Sequence, residues 1–400
     1  MLKKMAYHIG GVSLVLSVIM AFASLSSLFL GRLLSDADFG EFSLIRMLVL
    51  FLPFLAIWGQ GIAAARYFSK HPPSEYDWPG AMSKILAVSA VLTLIGVTGA
   101  ALIYRLPLLV CVALFVAVIF FCSTLFLANL MRSQRHYVPA VLMENGFRGL
   151  FFFVLIVAYF TIGMNKTSAV GFYLGLVVVM GCFNLWYGLR RIPAGNRPVP
   201  TEMHKAGIIL MGVEVSVDVL SSLDTLIIPK ILDYASLGLY AAVLVPAQLF
   251  NILARAAKYV WVPEFGKNER TRFRLLTIGV TLSAVLLAIL LIGTAEPLLH
   301  FFYKGKYDAG APLLKILAVA GVFRLLYSLS SSLIVGRLGQ EALMAHLRYT
   351  VFSMVLYFFL LTGLLRNQGV VGAAWALLAI TLIRAVLSYW VVMRFRQERG

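Results

Sequence analysis

The chain has 400 residues, 61% of them apolar and only 13% charged, with a mean hydropathy of +0.91. Soluble domains run near half apolar and about a quarter charged, so a water-soluble globule is excluded. Thirty-four Lys and Arg against 17 Asp and Glu give +17. In a soluble protein that balance would point to nucleic acid, but here the charges punctuate long apolar runs, and no nucleic-acid partner is expected. A transmembrane barrel would need alternating segments of about 10 residues, and the unbroken runs are of the other kind.

Breaking the chain at charge clusters, Pro and Gly predicts twelve spans. They lie near 9–31, 41–65, 84–104, 107–130, 138–163, 167–188, 207–230, 237–262, 273–294, 311–335, 345–365 and 369–393. The first run could pass for a secretory leader ending at Ala21-Phe22-Ala23, but its apolar sequence continues to Leu30, long enough to stay as an anchor. With the N-terminus inside, 22 of the 34 cations fall on the cytoplasmic side and 7 on the other, leaving 34 − 22 − 7 = 5 within spans. That asymmetry predicts cytoplasmic termini. Cys111, Cys122 and Cys182 all lie in apolar runs without metal-ligand spacing and read as packing residues.

The largest connection, 190–206, is basic and Pro-containing, and it divides the chain into a six-helix half over 1–189 and another over 207–400. Leu34-Ser-Asp-Ala-Asp-Phe-Gly-Glu-Phe42 is echoed by Leu232-Asp-Tyr-Ala-Ser-Leu-Gly-Leu-Tyr240 at an offset of 198, and Val170-Gly171 by Val371-Gly372 at 201. Six spans per half is an even number, so the two halves should be parallel repeats about an axis along the membrane normal. The expected fold is all-α and integral to the membrane, with two six-helix lobes around a central cavity.

A charge at bilayer depth costs a few kcal/mol even on the lenient insertion scale, so it persists mainly where it meets water or a partner. On the seventh span Glu214, Asp218, Ser221, Ser222 and Thr225 form one stripe, with Asp224 at its edge. Ser13, Ser17, Ser24 and Ser27 share a face of the first span, by close helix packing or toward the cavity. Glu144 and Arg148 stand four apart on the fifth span, either as a self-paired bridge or with Arg148 open to an anion. Arg46, Pro53 and Gln60 share a face of the second span. Gln248, Asn251, Arg255 and Lys258 form a stripe on the eighth, the last two near enough to its end to snorkel. Arg324 shares a face of the tenth span with Tyr327, Ser328 and Ser331, while Lys315 lies toward its end and Arg384 is on the twelfth. The five cations within spans are therefore Arg46, Arg148, Lys315, Arg324 and Arg384. Such an interior suits phosphate, which arginine binds through paired charge-assisted hydrogen bonds, and repels a cationic drug. The acids Glu144, Glu214, Asp218 and Asp224 are either partners of these arginines or sites for H+ or Na+. There is no Walker loop, GxGxxG, HExxH or GxSxG triad, and the six histidines are scattered. Neither an enzyme nor a cofactor is expected, and no metal site.

LSDADFGEFSL at 34–44 with Gly59, Gly61 and Arg66, VDVLSSLDTLIIPKILDYASLGLYAA at 217–242, FYKGKYDAGAPLLKIL at 302–317 and NQGVVGAAWALLAI at 367–380 resemble the polysaccharide (O-antigen) flippases of the multidrug/oligosaccharidyl-lipid/polysaccharide exporter superfamily. The resemblance covers essentially the whole chain through degenerate, Gly-centred motifs. It implies alternating access and transport of a polyprenyl-diphosphate-linked oligosaccharide across the bacterial inner membrane, with membrane lipid around the tail and a polysaccharide polymerase as a candidate partner. Asp224 matches the acid of the family's seventh-span pattern. The chain lacks the two extra helices of lipid II flippases and an acid in its first span where many drug exporters carry one. The substrate-binding residues expected are Arg46, Gln60, Arg148, Asn251, Arg255, Arg324 and Arg384. A multidrug antiporter of the same superfamily and a membrane enzyme of polysaccharide assembly are the competing readings.

Overall fold

The computed structural model describes residues 2–267, 273–338 and 340–397, and within them every regular element is helical. The helices are α1 (Leu2–Leu33), α2 (Asp36–Ala56), α3 (Gln60–Phe68), α4 (Trp78–Tyr104), α5 (Leu108–Ser133), α6 (Tyr137–Thr161), α7 (Lys166–Arg191), α8 (Thr201–Ile231), α9 (Tyr234–Lys267), α10 (Phe273–Gly293), α11 (Ala295–Tyr303), α12 (Ala311–Arg337) and α13 (Gln340–Gln397). Ten stretches among the described residues are long and apolar enough to cross a membrane. The last of them, 341–395, turns at Gly369 (φ 60°, ψ −144°) and holds two spans, and the 31-residue α8 completes the twelve. Large apolar side chains such as Leu102, Leu108, Leu109 and Phe160 lie exposed along these helices, as they do where the solvent is lipid.

Short polar residues set the helix starts by satisfying orphan N–H groups. The Ser35 hydroxyl accepts from Asp38 N (3.1 Å), Asp77 Oδ1 from Gly80 N (2.9 Å) and Asp233 Oδ1 from Ser236 N (2.6 Å), opening α2, α4 and α9. Asn165 and Ser168 cap each other reciprocally at α7. Arg105 ends α4 in the left-handed region at φ 55°, just before Pro107.

Two features differ from the sequence expectation. The second span is two helices: α2 stops at Ala56, Trp58 and Gly59 take positive φ (42° and 74°), and α3 restarts at Gln60. The Ala56 carbonyl freed at this break is met by the Ser89 hydroxyl of α4 (2.9 Å), while Pro53 O, which keeps its bond from Ile57 N (2.9 Å), is also approached by the Cys122 thiol of α5 (3.9 Å). The loop between the ninth and tenth spans folds as the nine-residue α11 and a 3₁₀ turn at Asp308–Gly310.

The chain forms two compact units: Met1–Ser26 with Phe42–Ser222, and Ser27–Glu41 with Leu223–Gly400. In the first, an aromatic core of Phe42, Phe121, Phe147, Phe151 and Tyr173 joins α2, α5, α6 and α7. The segment before α4 and the linker after α7 are also paired there: Asp77 N donates to Arg197 O (2.7 Å) and Gly195 N to Tyr76 O (2.9 Å). In the second unit, one core joins α9, α10 and α12 around Phe250, Ala288 and Leu325, and another gathers Phe265, Leu329, Ile334 and Val391.

Candidate functional site

In the first unit, Arg46 on α2 and Arg148 on α6 are both half-buried, Arg46 one turn beyond Phe42 and Arg148 next to Phe147, and both of those rings pack on Tyr173 of α7. Tyr173 is buried, its oxygen has no hydrogen-bond partner among the described residues, and Phe42, Phe147 and Phe151 fix the ring at centroid distances of 5.8, 5.9 and 5.0 Å. The Arg148 guanidinium also lies 5.7 Å from the Phe147 ring centroid. Two guanidiniums and a phenol held by an apolar wall can bind an anion with oxygen acceptors.

Glu144, one turn before Arg148, is engaged by Arg132 of α5, which also donates to the Asn129 amide oxygen (3.4 Å). That inter-helix partner was not visible as an i,i+4 spacing. Gln60 is fully buried at the α2–α3 break, and both ends of its amide are taken by α8: Nε2 donates to His204 O (3.1 Å) and Oε1 pairs with His204 Nδ1 (2.9 Å). Trp58 stacks on the same imidazole. Burial holds the His204 ring below its usual range, and Lys84 adds to the effect. Gln60 thus fastens two helices.

In the second unit, Asp224 of α8 is buried and anchored by three donors. Tyr240 Oη of α9 donates to Oδ2 (2.6 Å), Thr225 N to Oδ1 (2.8 Å), and the Thr225 hydroxyl lies 3.5 Å from Oδ1. Arg324 of α12 is half-buried, and Tyr357 is a fully buried α13 phenol whose oxygen has no hydrogen-bond partner among the described residues. Lower on α12, Tyr327 is stacked by Arg384 (4.0 Å) and lies 3.4 Å from His346 Nε2, which also reaches the Ser331 hydroxyl. Asn251 is half-buried, with an amide oxygen that finds no partner among the described residues. The side chains of Glu214, Asp218 and Arg255 lie outside the described residues. Lys315 pairs with Glu296 at the α11 surface (2.9 Å). Cys122 is buried, Cys111 half-buried and Cys182 exposed, and no group of three His, Cys, Asp or Glu among the described residues could hold a metal.

Sequence reading missed Tyr173, Tyr240, Tyr357, Arg132 and His346. Tyr240 closes the repeated motif and could have been paired with Asp224 from that position. The others sit inside apolar runs or at span ends with nothing local to mark them.

A helical protein with twelve apolar spans and charge retained inside its bundles is a polytopic membrane protein. The solved structures that share the fold are of that class. The lipid II flippase MurJ, in an inward closed conformation, superposes with a TM-score of 0.70 at 14% identity over 95% of this chain and 87% of that one. An inward-facing multidrug resistance MATE family transporter of the MOP superfamily gives 0.68 at 12%, covering 95% of both chains. A point mutant of the Vibrio cholerae MATE transporter VcmN gives 0.61 at 16% over 98% and 96%. No curated protein sequence matches. The family model described as polysaccharide biosynthesis protein matches residues 29–277, which is 249 of 400 residues, and the chain belongs to that family.

Proposed function

We propose that this protein is a flippase that carries a polyprenyl-diphosphate-linked oligosaccharide, an O-antigen or related repeat unit, across the bacterial inner membrane by alternating access, with both termini cytoplasmic. The observation that carries the reading is a half-buried guanidinium, Arg148, against the Phe147 ring of the aromatic wall that encloses the Tyr173 hydroxyl, which has no hydrogen-bond partner among the described residues, with Arg46 one turn beyond Phe42 of the same wall. Two guanidiniums at bilayer depth are costly, and a substrate diphosphate returns that cost through bidentate hydrogen bonds. Arg324 and Arg384, with Asn251, extend the same chemistry to the second unit. Membership in the polysaccharide biosynthesis family supports a sugar-bearing cargo, and the fold shared with MurJ supports a lipid-linked one. Asp224 is the first candidate for coupling to an ion gradient.

Protein reconstituted in liposomes with a fluorescent polyprenyl-diphospho-oligosaccharide tests the reading: the label should become accessible to an external quencher only where protein is present. Flipping unchanged by Arg148→Ala at equal protein level removes the cationic site from the mechanism. Efflux of a cationic dye without lipid flipping favours the drug-antiporter reading instead.

A further inference from the structure

In the first unit α3 stops at Phe68, α5 at Ser133 and α7 at Arg191. Between these span ends lies a cavity of about 490 Å³, the size of an ordinary small-molecule site, lined by residues 68–74, Ser133, Gln134 and Pro193. The chain around it is locked. Arg197 N donates to Glu75 O (3.1 Å) and Trp78 Nε1 to Pro193 O (3.2 Å), and a Cβ on Gly195 would lie 2.3 Å from the Glu75 carbonyl carbon. The His71 ring is stacked on Tyr67 at a centroid distance of 4.6 Å.

The lining offers donors and no acid. Ser69 and Ser133 spend their hydroxyl hydrogens on the carbonyls of Arg66 (2.8 Å) and Leu130 (2.6 Å), which leaves the Lys70 ammonium, the Gln134 amide, the Ser74 hydroxyl and a His71 ring N–H. Among the described residues no carboxylate pairs with Lys70, and Glu75, the nearest acid along the chain, is held by Arg197 (3.4 Å). Helix C-termini carry partial negative charge, but each of these three has arginine in its last turn, Arg66, Arg132 and Arg190 with Arg191. Lys70 and Arg135, both exposed and beyond the helices, are surplus to that balance. The depth is marked by α7, where Trp186 is 49% exposed with the Arg190 guanidinium 4.6 Å from its ring centroid. Tryptophan beside a cation is an anchor at headgroup level, and Phe183, a turn deeper, is bare to lipid.

We propose that this cavity binds the phosphodiester headgroup of an anionic membrane phospholipid. Lys70 and His71 meet the phosphate, Gln134 and Ser74 meet headgroup hydroxyls, and the acyl chains stay in the bilayer. A zwitterionic lipid is selected against, because its own ammonium would be set against Lys70. A basic pocket between span ends at this depth is filled from the membrane, where lipid phosphate is concentrated, ahead of a dilute phosphate ester in water. The site shares no residue with the one given to the diphosphate substrate and stands independently of that reading.

The test is native mass spectrometry of the full chain in detergent, titrated with dioleoyl-phosphatidylglycerol, with dioleoyl-phosphatidylcholine, and with glycerol 3-phosphate as the headgroup without its tails. Phosphatidylglycerol should bind at least about tenfold tighter than phosphatidylcholine, and Lys70→Gln should weaken it about fivefold, the worth of one cation at an anionic surface. Gln134→Leu should weaken it as well, and carries the test if Lys70→Gln fails to fold. Arg366→Gln, which removes an exposed cation of the second unit, should bind as wild type does. Equal affinity for the two lipids, wild-type binding by both cavity variants, or an equal loss in Arg366→Gln overturns the site. Glycerol 3-phosphate bound as tightly as phosphatidylglycerol overturns the lipid as its occupant.

Discussion

Gly40 and Gly238 stand 198 residues apart and face each other reciprocally. A Cβ on Gly40 would lie 1.8 Å from Tyr234 O, and one on Gly238 would lie 2.1 Å from Asp36 O. Since 36 + 198 = 234 and 40 + 198 = 238, each glycine meets the counterpart of the residue that its partner meets. This is the isologous pattern of a two-fold axis, drawn within one chain. The other repeated positions agree: Phe39 and Leu237, and Phe42 and Tyr240, are all buried. The two echo motifs are therefore the two halves of one crossing, in which the start of α2 meets the start of α9.

Gly40→Ala and Gly238→Ala should each cost at least about 2 kcal/mol, since the obstructing atoms are backbone and cannot rotate away. Gly279→Ala and Gly363→Ala are the controls: both glycines are helical with nothing within 4 Å of the added carbon. These should be neutral or gain up to about 1 kcal/mol from helix propensity. Thermal denaturation of the purified variants in detergent separates the two classes, and equal melting temperatures would refute the tight crossing.

Lys306 bonds the carbonyls of Gly31 (3.0 Å) and Leu34 and reaches Asp36 Oδ1 (3.1 Å), so its ammonium caps the end of α1 beside that crossing. Lys306→Met keeps the stem and removes three acceptors' partner, and should cost about 1–2 kcal/mol. The Lys315–Glu296 pair has a similar separation (2.9 Å) but far greater exposure. Lys315→Met should change stability by less than about 0.5 kcal/mol. A melting-temperature comparison of the two checks that burial and carbonyl capping, not ion pairing as such, hold this end.

Span number and the repeat were legible because both are one-dimensional properties, a run of apolar residues and a fixed offset. The break at Trp58 and Gly59 was not, although Pro53 and Gly59 were in view. It is stabilised by Ser89, Cys122 and the start of α8, which no local pattern connects to it. The helix α11 escaped because nine residues are too few to stand out as a span. At the site, sequence spacing could offer Glu144 only its own helix neighbour, whereas the partner seen is Arg132 across a helix pair. The arginines were visible because charge is rare in apolar runs. The phenols that organise them were not, because tyrosine is ordinary there.

His204 supplies a pH dependence whose sign follows from its environment. Burial, and Lys84 after it, favour the neutral ring in the folded protein, so the folded-state pKa lies below that of the unfolded chain. The stability contributed is present above the unfolded value of about 6.5 and is lost as pH falls through the lower folded value. The melting temperature should therefore drop on acidification below about pH 6.5. His204→Gln, which keeps a polar group toward Gln60 without a titrating ring, should flatten that drop. A slope identical to wild type would show that other groups govern it.

Tyr173→Phe separates stability from function at the proposed phosphate site. The buried hydroxyl has no hydrogen-bond partner among the described residues, and leaving such a group unsatisfied costs about 1–3 kcal/mol. Removing it leaves the aromatic packing with Phe42, Phe147 and Phe151 intact, so the variant should be as stable as wild type or gain about 1 kcal/mol. If the phenol is held in reserve for the diphosphate between Arg46 and Arg148, the same change should slow lipid flipping by roughly tenfold, the worth of one hydrogen bond to a charged acceptor. Arg46→Lys and Arg148→Lys should keep part of the activity, because charge survives while the bidentate fork is lost, and the corresponding Ala variants should keep less. The measurements are a melting curve and a flipping rate on the same preparation of each variant. A Tyr173→Phe protein more stable than wild type and equally fast would make the hydroxyl an accident of packing; one that is more stable and slower would identify it as a donor kept for substrate.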